Sequence, residues 1–115
     1  MKTIKMIIAL LCMLSTTADV YAKKAKEIPT TDTIKVSGNC DMCKANIEGA
    51  LDIKGVKKAE WNKDTKILIV IYYASKINNE TIQHKVADAG YDTEKFKANV
   101  AAYDKLHTCC KYERK

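Results

Sequence analysis

Proline, tryptophan and phenylalanine each occur once in this chain, and glycine only four times. No internal repeat or low-complexity segment appears. There is also no glycine-rich phosphate loop, no G-x-S-x-G and no carboxylate pair assignable to a cleft, so hydrolase and nucleotide chemistry find no support. Clustered arginines interleaved with aromatics are missing too. The net charge of +6 comes from interspersed lysines, which read as a solvated surface with at most weak attraction to anionic membranes; a nucleic-acid face is not expected. After Leu14 no apolar run is long enough to cross a bilayer. The length allows one small domain with one core and one site, with no room for a cofactor domain beside a substrate domain.

The first residues look like an address. Lys2 and Lys5 make a basic start and Met6 to Leu14 is unbroken apolar sequence, too short to span a membrane. Val20-Tyr21-Ala22 puts small residues where signal peptidase needs them. The expectation is a signal peptide over 1–22, loss of Cys12 with it, and a soluble product that is periplasmic or otherwise exported. Residues 23–31, with four lysines or glutamates and Pro29, read as a flexible leader.

From Asp32 the pattern becomes regular. Ile34 and Val36 alternate with Thr33, Lys35 and Ser37, the period of a half-buried strand, and Gly38-Asn39 breaks it. Cys43, Ile47, Ala50 and Leu51 then recur at helical spacing between Asp41 and Asp52. Val56 to Trp61 reads as a strand, Asn62-Lys63-Asp64 as its turn, and Lys66 to Tyr73 as a partner strand that is apolar on both faces. Asn79 is a candidate cap for a second helix carrying Ile82, Val86 and Ala89, with Gly90 as its stop. Thr93 to Phe96 is expected as a last edge strand. This order predicts an α+β, ferredoxin-like βαββαβ sandwich over 32–98: a four-stranded antiparallel sheet with both helices on one face. Residues 99–115 are left as a Cys-containing C-terminal extension.

The chemistry concentrates at Cys40-Asp41-Met42-Cys43, two sulfurs where a loop enters a helix. The helix N-terminus favours thiolate over thiol, and soft thiolates select Cu(I), Zn(II) and similar ions over Mg(II) or Ca(II). Two ligands on a loop make an open site suited to passing an ion on, whereas structural zinc is usually enclosed by four. The pair alone leaves metal, redox and disulfide uses open.

The stretch Ile34 to Leu51, with Gly38-Asn39-Cys40-Asp41-Met42-Cys43 at its centre, then Gly55-Val56 and Ala89-Gly90-Tyr91, resembles the heavy-metal-associated domain family of copper chaperones, periplasmic mercury-binding proteins and P-type ATPase N-terminal domains. The resemblance runs from about Thr33 to Tyr91. It implies that Cys40 and Cys43 are metal ligands, with Cu(I) foremost and Hg(II) or Zn(II) next. It implies a metal-transporting ATPase or another metal-binding protein as partner, and no enzymatic activity. It puts Tyr91 in the loop that lies near the metal in bacterial copper chaperones, where core packing is its other reading. The family's usual Gly-Met-x-Cys-x-x-Cys is one residue shorter here and lacks its methionine. Met42 either offers a thioether or merely covers the site.

In the extension, Val100, Ala101, Tyr103 and Leu106 form a short apolar stripe that is expected to cover the second sheet face at Ile67, Ile69 and Ile71. His107, Cys109 and Cys110 follow. The cysteines are either further soft-metal ligands or disulfide partners, and His107 a surface residue or a ligand. Two other functions stay open: a thiol-disulfide redox protein, and a disulfide-stabilised interaction module. A metal-bridged dimer is also compatible with the sequence.

Overall fold

The computed structural model describes residues 27–114; the expected signal segment and residues 23–26 of the expected leader lie outside them. The element order is β1 (Thr30–Lys35), α1 (Asp41–Ala50), β2 (Val56–Trp61), β3 (Ile67–Tyr72), α2 (Asn79–Asp88), α3 (Val100–Asp104) and a 3₁₀ turn (Thr108–Cys110). β3 is central, with β1 and β2 antiparallel on either side. A run of β-branched residues suits that position, because both of its edges are hydrogen-bonded and one face is buried. Leu68, Val70 and Tyr72 point into the core. Ile34 and Val36 join them from β1 and just beyond it, and Ile47, Leu51, Ile82 and Val86 come from the helices. Each such side chain contributes about 1.5–3 kcal/mol of burial. Among the described residues no helix is long and apolar enough to cross a membrane.

Caps and turns fall close to where the residue types demand. Asn78, one residue before the expected Asn79, caps α2 by accepting from the Thr81 N–H at 2.8 Å. Asn79 instead joins a polar chain, donating to Asp32 and accepting from Gln83. Gly90 ends the helix region at φ 107°, a conformation that glycine adopts without strain.

Two expectations need correction. The fourth strand shrinks to a single bridge between Val36 and Thr93. Its remainder is a turn in which Thr93 N–H donates to the Phe96 carbonyl. Three contacts bend it away. Thr93 Oγ1 and Lys95 N–H both donate to Oε1 of the buried Gln83, and Phe96 stacks on His84 of α2 with ring centroids 3.8 Å apart. The sheet thus has three strands and a one-residue fourth position, still layered with two helices on one side. Second, the extension does not cover the outer face of β3, where Ile69 remains 45% exposed. It packs beside the loop after α2 and against the start of α1.

Candidate metal centre

β1 ends and Val36 N–H is taken by the Lys66 carbonyl, then Ser37 N–H by that of Asp92. These bonds aim the next residues, Gly38-Asn39, at the start of α1. Gly38 is required there by space: a Cβ would fall 2.8 Å from the Trp61 ring. Trp61 is buried, donates its indole N–H to the Val36 carbonyl at 3.0 Å and floors the loop. The short loop is therefore supported from β2.

Cys40 occupies the N-cap position of α1 in extended conformation and Cys43 lies in its first turn. One helical turn brings their sulfurs to 3.6 Å. Cys43 is buried, Cys40 half-buried, and Asn39 N–H points at Cys43 Sγ at 3.4 Å. The Cys40 thiol is held down at about 7, chiefly by the backbone N–H of Cys43. This is the expected effect of a helix N-terminus on a thiolate.

The structure brings a third sulfur to the pair. Cys110 is fully buried, its Sγ 3.9 Å from that of Cys40, and the three thiols lie within 4.8 Å of one another. Burial, reinforced by hydrogen bonding with Cys43, pushes the Cys110 thiol up to about 12. Cys109 faces outward, 3.8 Å from Met42 Sδ and 4.0 Å from Cys110 Sγ. Met42 is 43% exposed and sits on the rim. His107 is exposed and outside the three-thiol group. Its carbonyl accepts from Cys110 N–H, so it positions the turn through its backbone.

Tyr91 is buried under this cluster, its hydroxyl accepting from Asn46 Nδ2 at 2.9 Å. Burial is the main reason that its phenol is strongly disfavoured from ionising. It is thus both core residue and neighbour of the sulfurs. Sequence reasoning missed Trp61, Asn46 and Tyr112 as supports. Asn46 had a signal, since it lies three residues after Cys43 on the same helix face. Trp61 and Tyr112 had none, because their role depends on contacts across the fold.

Comparison with known proteins gives a consistent result. Residues 33–92 match the heavy-metal-associated domain. The copper chaperone CopZ of Staphylococcus epidermidis is 36% identical over 67 residues, 56% of this chain and 98% of that protein. A zinc-transporting ATPase of Synechocystis is 36% identical over 72 residues, 61% of this chain, which spans only 10% of that ATPase. Among solved structures, a CopZ metallochaperone superposes with a TM-score of 0.54 at 32% identity, covering 56% of this chain and 98% of its own. The matched span takes in 60 of the 115 residues, and the chain belongs to the heavy-metal-associated domain family.

Proposed function

We propose that this protein is an exported carrier of a soft metal ion, Cu(I) foremost and Hg(II) or Zn(II) next, held by Cys40 and Cys43 and handed on by thiolate exchange. The observation that carries the reading is one buried and one half-exposed sulfur 3.6 Å apart at a helix N-terminus. Backbone N–H groups stabilise the anionic sulfurs, and thiolates prefer soft ions. The half-exposed Cys40 is the sulfur an incoming thiolate meets first. Exchange then proceeds through a shared ion, one protein–metal bond forming as another breaks, with no net chemistry. The receiving or donating partner is a metal-transporting ATPase or another metal-binding protein with a similar thiol pair. A signal peptide over 1–22 would direct the chain to the periplasm or beyond, where bound metal protects the thiols from oxidation.

The test is an anaerobic competition titration of the reduced chain against a chromogenic Cu(I) chelator. Replacing Cys40 and Cys43 together by Ser should weaken binding at least about a thousandfold, about 4 kcal/mol. Undiminished affinity in that variant would end the reading.

The same two thiols, one of them held near neutrality, also suit a dithiol redox couple. Insulin reduction discriminates: sustained catalytic turnover favours redox exchange over metal carriage.

A further inference from the structure

The extension lies beyond the family match, which ends at residue 92, yet it delivers a buried thiol to the metal-binding pair. We infer that Cys110 is the third ligand of a three-thiolate centre, so that the tail completes within one chain the coordination shell that Cys40 and Cys43 leave open. This rests on the soft-metal reading of that pair and deepens it.

Geometry favours three ligands over two. Metal–thiolate bonds of about 2.3 Å put sulfurs about 4.6 Å apart across a linear ion and about 4.0 Å apart around a trigonal one. The observed separations are 3.6 Å for Cys40–Cys43 and 3.9 Å for Cys40–Cys110, and no pair of the three exceeds 4.8 Å. A linear ion would have to push Cys40 and Cys43 apart. A trigonal ion needs smaller shifts.

The tail is also fastened where this role requires. Tyr112 donates its hydroxyl proton to the Gly90 carbonyl and accepts from Asp92 N–H, both at 2.9 Å. Its ring stacks on Tyr91 and meets the edge of Tyr103, whose hydroxyl donates to the Tyr112 carbonyl. Arg114 grips both Asp92 carboxylate oxygens and the Ala98 carbonyl. Gly90 has no side chain to obstruct the approach of α3, since a Cβ there would come 2.9 Å from the Ala102 carbonyl. Cys110 is thereby held at the pair from the protein's own chain.

On loading, Cys110 forms a coordinate bond to the ion through its sulfur lone pair and its proton leaves to solvent. The oxidation state of the metal does not change. With the third position filled internally, a thiolate from a second copy is not needed, and the loaded protein is a monomer. Cys109, turned toward Met42, is not part of the shell.

X-ray absorption at the copper edge, on full chain loaded one-to-one with Cu(I) and free of added thiol, reads the sulfur count directly. Three neighbours are expected, falling to two in C110S and C110A, with affinity lower by at least tenfold, and staying at three in C109S. Light scattering should give a monomer for the loaded wild type. Two sulfurs in the wild type with tight binding retained overturn the third ligand and leave the Cys40–Cys43 carrier standing. Absence of tight Cu(I) binding overturns both readings. A sulfur lost in C109S instead of C110S, or a metal-dependent dimer of the wild type, also overturns this one. Circular dichroism checks the variants' fold, and the wild-type count needs no variant at all.

Discussion

The loop at Cys40–Cys43 and the tail at Cys109–Cys110 both present sulfur to the same few ångströms of space, but they arrive there by different physics. In the loop, three residues of helix geometry suffice to bring two side chains to one face. In the tail, Cys110 reaches Cys40 across 70 positions of sequence. An aromatic cluster and a bidentate ion pair do the positioning, and neither has any local signature. Loop and tail also differ in electrostatics: Cys40 is lowered by N–H groups, while Cys110 is raised by burial. One end of the site is ready to ionise near neutral pH and the other stays protonated there.

The largest effect should come from the floor that the loop relies on. Trp61→Ala is expected to cost about 3–5 kcal/mol in urea unfolding, the loss typical of a buried large aromatic. It should weaken Cu(I) binding as well; unchanged affinity would mean that the loop holds its shape alone. Next is the tail's anchor. Tyr112→Phe leaves the Gly90 carbonyl without its donor and the Asp92 N–H without its acceptor, and should cost about 1–3 kcal/mol in thermal or urea unfolding. A neutral result would show that stacking and Arg114 suffice to hold the tail, and the contrast with the loop would narrow.

The smallest effect is electrostatic. Alkylation of Cys40, mapped by mass spectrometry in C109S, should rise about tenfold per pH unit below about 7 and level off above it, because only the thiolate reacts. The sign for stability follows. A thiol lowered on folding stabilises the fold fully above its ordinary value of 9.0, and that contribution is lost as pH falls through about 7. A midpoint near 9 would remove the helix N-terminus from the account of this site.

Much of the domain was legible in the residues. β2 coincides with Val56–Trp61, the strand expected before the Asn62-Lys63-Asp64 turn, α1 starts beside the cysteines, and Gly90 stops the second helical segment. These features depend on neighbours within a few positions, where side-chain period and backbone preference decide. Thr93 to Phe96, expected as an edge strand, turns instead, because a buried glutamine and a histidine ring from α2 offer better partners than a sheet edge. The apolar stripe at Val100 to Leu106 matched the uncovered face of β3 in character but not in location. Apolar patterning says that a surface wants cover and never which surface supplies it.

The sequence by itself determined the βαββα order and the thiol pair at a helix start, with the preference for thiolate that this position brings. Those follow from periodicity and from sulfur chemistry, which act over one turn of helix or less. The tertiary structure decided that Cys110 and not Cys109 or His107 joins the pair, that Trp61 lies against the loop at Gly38, and that Tyr112 ties the tail to the loop after α2. Such choices depend on which distant surfaces fit together once the core closes, and no spacing along the chain encodes that fit.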